Sequence, residues 1–168
     1  MLQTGDFEYG WNLQVEDEVL KRLEAGGKGR AQIIPSGDIE FVQLKPTDPW
    51  SEVDGERASV KSRHFAVGDP KVRQAMALLC DRKGMQDFVY GRTGTATANF
   101  LSLPVGYRSP HTTWEFSADK ANALLDGAGC KTATDGIREQ SGKKVKHAFQ
   151  ASTHVHPQTG PAAVTPAV

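Results

Sequence analysis

The residue patterns that could do chemistry are few, and each is incomplete. Gly91-Arg92-Thr93-Gly94-Thr95-Ala96-Thr97-Ala98 is the one run that could be taken for a phosphate-cradling loop, since glycines let backbone N–H groups turn toward an anion. It lacks the Gly-Lys-Ser/Thr ending and follows a helical pattern instead of a strand, so phosphate binding is not expected there. His154 and His156 could meet a cation, yet two imidazoles without a third ligand do not make a site, and no metal is expected. Cys80 and Cys130 lie fifty positions apart, match no metal spacing and carry no redox motif. Cys80, on or beside the apolar face of a helix, reads as a buried free thiol, with a disulfide as the alternative. No Ser, Cys or Thr occupies a nucleophile elbow, and no His-Glu-x-x-His is present. Carboxylates are plentiful, but nothing marks two of them as an acid–base pair, so no enzyme and no cofactor are expected. Recognition is what remains. Trp11 beside Asn12 offers a stacking face next to an amide, although a tryptophan packed at a domain edge would look the same.

The element with the clearest signal is Asp69 to Gly84. Asp69 can accept from the free N–H groups of a first helical turn, and Pro70 sits where its missing N–H costs nothing. Val72, Ala75, Met76 and Leu79 recur at the spacing that lines one face. Arg82 and Lys83 would then stand at the carbonyl end of the macrodipole, with Gly84 closing the helix. Each fully buried side chain on that face would contribute roughly 1.5–3 kcal/mol, against about 1 kcal/mol for the cap, so packing should dominate.

The other elements follow in order. Phe7, Tyr9 and Trp11 alternate with polar residues over 5–12, as in a short strand. Residues 16–24, acids first and bases later, with Val15, Val19, Leu20 and Leu23 on one side, read as an amphipathic helix stopped by Gly26-Gly27, its charges a solvated face. Two extended pieces, 31–34 and 39–44, meet at Pro35-Ser36-Gly37-Asp38, and 45–63 reads as a long surface loop. Met85, Phe88 and Val89 suggest another helical turn or two before Tyr90-Gly91. Ser117 starts a further helix that buries Ala121, Leu124, Leu125 and Ala128, with Phe116 placed to staple its start and Gly127 or Gly129 ending it. A hairpin is expected around 140–142, with Val145, His147 and Phe149 alternating. From His154 onward, proline and small residues without period read as a disordered tail.

Composition sets the limits. A chain of 168 residues suits one ordinary domain, burying roughly 70% of the surface exposed when unfolded. Twenty basic and twenty acidic residues balance, so neither nucleic acid nor an anionic membrane is an expected partner. The longest apolar run, Ala75 to Cys80, is far short of the roughly 20 residues a membrane span needs. The first residues show no basic and no apolar region of an export signal, so the sequence as written is expected to stay in the cytoplasm.

At Asp69-Pro-Lys-Val-Arg-Gln-Ala75, followed by Asp81-Arg82, the chain resembles the family-5 extracellular solute-binding proteins, the peptide, dipeptide and nickel receptors of ABC importers. The likeness continues in order through Gly5 to Tyr9, Pro35 to Leu44, Asp48-Pro49, Glu52 to Arg57, Tyr90-Gly91, Lys120-Ala121, Leu124-Leu125, Ala128-Gly129 and Asp135 to Arg138. It covers roughly residues 5 to 153, and the Asp-Gly-Glu-Arg and Asp-Gly-Ile-Arg turns look most like the peptide branch. Lys45 and Cys130 depart from it, standing where the family commonly has Asn and an aromatic residue.

The resemblance implies an α+β (mixed α/β) class, a partial periplasmic-binding-protein-like type II fold that is mainly part of the second lobe. Residues 1–34 would be the end of lobe one, 35–45 the strand crossing between lobes, 46–153 part of lobe two, and 154–168 the tail. Cleft-lining positions would be Trp11, Asn12, Ser36, Gly37, Asp38, Phe41 and Gln43. The implied role is non-enzymatic binding of a peptide or other small solute, with an ABC permease as partner and a periplasmic location in an intact relative. The sequence is expected to be a truncated, non-functional form of such a receptor; the alternative is a ligand-sensing domain of a cytoplasmic regulator.

Overall fold

Asp69 acts as its position predicts. Its carboxylate accepts from the Lys71 N–H at 2.8 Å, Pro70 occupies the first helical position, and α2 runs Pro70–Leu78. Val72 and Ala75 are fully buried and Met76 packs against the core. The helix is shorter than the periodicity suggests. Leu79 is its C-cap and stands 47% exposed, because the Leu78 carbonyl turns to accept the Ser117 N–H at 3.0 Å. Asp81 then caps a second short helix, α3 (Arg82–Met85), through the Gly84 N–H at 2.9 Å. Gly84 therefore lies inside a helix instead of ending one. A π-helical turn over Gln86–Tyr90 continues from it.

The computed structural model describes residues 4–11, 16–35 and 37–145. It is a mixed α+β structure: α1 (Asp17–Gly26), the hairpin β1 (Glu52–Val53) and β2 (Glu56–Arg57), α2 and α3, then α4 (Ala118–Gly127) and an antiparallel sheet of β3 (Lys131–Thr132), β4 (Arg138–Gln140) and β5 (Lys143–Lys144). Opposite charges face each other across these ladders, Glu52 with Arg57 and Glu139 with both Lys131 and Lys144.

α2 packs on α4, and both end in the same small core. Ala66, Val67, Val72 and Cys130 are its buried centre, with Phe65, Met76, Leu125, Ala128 and Val145 against them. Ser117 caps α4 as expected, accepting from the Lys120 N–H at 3.3 Å. Phe116, expected to staple the helix start, is half exposed. The far end closes on Gly129, which takes φ +80°, donates to the Asp126 carbonyl at 3.0 Å and sends the Cys130 N–H back to the Leu125 carbonyl at 2.9 Å. That turn drives Cys130 into the core beside Leu125. Burial pushes its thiol pKa up, which fits a packed side chain better than a reactive one. Cys80 is also a free thiol, half-buried.

The loop 45–63 is tied at its base. His64 donates its N–H to the Pro46 carbonyl at 2.8 Å, and the Ser62 hydroxyl accepts from the Asp48 N–H at 3.0 Å. The expectation of a bare surface loop is corrected by β1 and β2 at its tip. Residues 5–11 and the extended pieces 31–34 and 39–44 form no strand among the described residues, because nothing there lies beside them to complete a ladder. Asn12, Ser36, His147, Phe149 and the tail with His154 and His156 lie outside the described residues. No helix among the described residues is long and apolar enough to cross a membrane.

Candidate ligand-binding surface

The extended piece 39–44 is held from two sides. Successive residues of an extended chain point in opposite directions, and here Glu40 accepts the Tyr90 hydroxyl while the Phe41 ring meets Phe100 with centroids 6.1 Å apart at 60°. Burial, reinforced by Glu40, pushes the Tyr90 hydroxyl up to about 12, so it stays protonated as a donor. Phe100 is carried by a loop that Asn99 closes: its side chain accepts from the Ser109 N–H at 2.8 Å and donates to the Ser109 carbonyl at 3.4 Å.

Anchorage of α1 comes from the same part of the chain. Asp17 is only 5% exposed and accepts both the Arg92 N–H at 3.1 Å and the Arg92 Nε–H. Glu24, two helical turns later on the same face, accepts from Arg92 Nη2 and from the Ala31 N–H at 2.7 Å. Burial pushes the Asp17 carboxyl up, but the Arg92 N–H and guanidinium, with Lys21, outweigh it and hold it below the usual carboxylate value. For Glu24 the Ala31 N–H comes first and Arg92 second, again lowering it. Glu18, Lys21 and Arg22 form the expected solvated face of α1, but Asp17 and Glu24 do not belong to it. Gly91 makes the approach possible: at φ +54° a side chain would be strained, and a Cβ there would come 2.5 Å from an Asp17 oxygen. The run that looks like a phosphate loop does hold an anion, and that anion is Asp17 of the same chain.

The predicted site residues sort as follows. Trp11 stands 81% exposed and Phe41 65% exposed. Gly37, Asp38 and Gln43 are exposed along the same stretch as Phe41, and a Cβ at Gly37 would meet only open space. Tyr90, Phe100 and Arg92 were missed, because their partners lie fifty or more positions away and no local spacing announces such pairs. A cleft of about 380 Å³ between α2 and α4, lined by Ala77, Leu78, Arg82, Trp114 and Leu124, contains none of the predicted residues. There Arg82 sits over the Trp114 ring at 5.6 Å.

Against models of known families, residues 2–164 match the bacterial extracellular solute-binding proteins, family 5 Middle. The chain belongs to this family. Family-5 membership assigns it solute binding in ABC import, with a small solute as ligand and a permease as partner. It also accords with the mixed α+β elements and with the resemblance carried by Asp69 to Arg82. No curated protein and no solved structure matches the chain.

Proposed function

We propose that this family-5 chain receives a peptide, laid along the crossing segment 35–45 between a piece of lobe one (1–34) and part of lobe two (46–153), with 154–168 as a tail, in a receptor that works outside the cytoplasmic membrane. The observation that carries the reading is the state of 39–44: extended, gripped through Glu40 and Phe41, and paired with no strand among the described residues. An extended peptide beside such a segment gains main-chain hydrogen bonds, while aromatic walls accept its side chains loosely. Trp11, Asn12, Ser36, Gly37, Asp38, Phe41 and Gln43 are the proposed lining. Binding alone is the proposed activity, with no catalytic group.

A complete receptor of this design closes two lobes on its ligand through contacts made only when closed. The 168-residue chain by itself is therefore expected to bind di- to hexapeptides no more tightly than millimolar. Titration of a peptide pool, followed by the shift of backbone amide resonances in 37–44, checks it. Weak shifts there that vanish in Phe41→Ala support the reading. A micromolar constant, or shifts confined to the cleft at Trp114, overturns it.

A further inference from the structure

Between the loop that follows the crossing segment and the start of α2 lies a second cleft of about 300 Å³, lined by Thr47, Ser62, Arg63, Gly68, Pro70 and Arg73. It shares no residue with the proposed peptide surface. Arg63 and Arg73 both line it, and neither forms an ion pair among the described residues. Arg73 is fixed by one nitrogen: Nη1 donates to the Val67 carbonyl at 2.8 Å and to the Gly68 carbonyl at 3.0 Å. Its remaining N–H groups are left in a defined orientation, which is how a guanidinium recognises an oxyanion in preference to a diffuse charge. Ser62 is fully used, donating to the Ser59 carbonyl and accepting from the Asp48 N–H. Thr47 is the opposite case: its hydroxyl oxygen is buried and has no partner among the described residues.

Two unpaired cations and one unmatched hydroxyl around a small cleft want the same thing, a negatively charged group that only accepts hydrogen bonds. We propose that this cleft binds a small oxyanion, phosphate or carboxylate, held by Arg63 and Arg73 with Thr47 donating its hydroxyl proton. Arg63 is exposed and makes no hydrogen bond that the fold needs, so it supplies charge that can be removed without disturbing the core. Arg73 also anchors the turn into α2, so an anion bound there would join that turn to the base of the 45–63 loop.

The test is calorimetric titration of the full chain with inorganic phosphate and, separately, with succinate. Saturable binding of either is expected; phosphate alone identifies a phosphate ligand and succinate alone a carboxylate. Arg63→Gln should weaken it about tenfold, the loss of one charged hydrogen-bonding partner, and Thr47→Val should weaken it several-fold. Lys61→Gln, which removes an exposed cation already paired with Asp54, should leave it unchanged. Thermal melts of each variant keep folding defects apart from binding defects. The proposal is overturned if neither probe saturates, or if Lys61→Gln and Arg63→Gln weaken binding alike, which would mark diffuse attraction only. Peptide binding along 37–44 is untouched by either result.

Discussion

From Asp69 to Val145 the chain completes its own bonds: Asp69 and Ser117 cap their helices, Gly129 closes α4, and the Leu78 carbonyl meets the Ser117 N–H. From Phe7 to Val42 only Asp17 and Leu20 are buried among the described residues, whereas Val72, Ala75, Ala121 and Cys130 are buried in the later region. What holds that first region is polar and concentrated on residues 90–100: Asp17 and Glu24 on Arg92, Glu40 on Tyr90, with Phe41 on Phe100 as the apolar contact. Burial holds one region and a few directed bonds hold the other. The difference teaches where motion belongs. A region tied by directed bonds can open locally at a cost well below that of unfolding the core.

Gly91→Ala should separate the two regions most sharply. A left-handed backbone and a Cβ 2.5 Å from an Asp17 oxygen leave no room for a methyl, and strain of this kind costs roughly 1–3 kcal/mol. Amide hydrogen exchange is expected to lose protection over Val19 to Leu23 while α2 and α4 keep theirs. Equal loss in both would break the comparison. Val72→Ala attacks the other side, opening a cavity in a core whose largest fully buried side chains are Val72 and Cys130; about 2 kcal/mol is expected. Here the urea midpoint of α2 and α4 should fall together, and a change confined to one helix would contradict a shared core.

Acid gives the mildest cut. Asp17 and Glu24 have folded pKa values below their unfolded ones, so their contribution is present above the unfolded values, roughly pH 4. It is lost as the pH falls through the lower folded values. Exchange protection of α1 should therefore decline below about pH 4 before that of α2. A simultaneous decline would mean that the core, not the Arg92 contact, holds α1.

Helix starts were legible because capping is local: Asp69-Pro70 and Ser117 declare themselves within three residues. The end of α2 was not, since Leu79 continues the periodicity and only the Ser117 N–H on the Leu78 carbonyl stops it. Asp81 did carry a readable signal, a capping carboxylate before Arg82, masked by the longer apolar pattern around it. Trp11 and Phe41 were legible as candidate lining, and both are exposed. The contacts of Glu40 with Tyr90 and of Phe41 with Phe100 were not, because a pairing across fifty residues leaves no trace in spacing.

By itself the sequence determined the starts of α2 and α4, the hairpin turn at Ser141-Gly142 and the family, all of which depend on short-range sterics, capping or residue order. Only the tertiary structure decided that Arg92 would meet Asp17, that Cys130 would be carried into the core, and that Arg63 and Arg73 would share a cleft with Thr47. The physical reason is that charge pairs and burial are settled by distance in space, to which the number of residues between two groups is no guide.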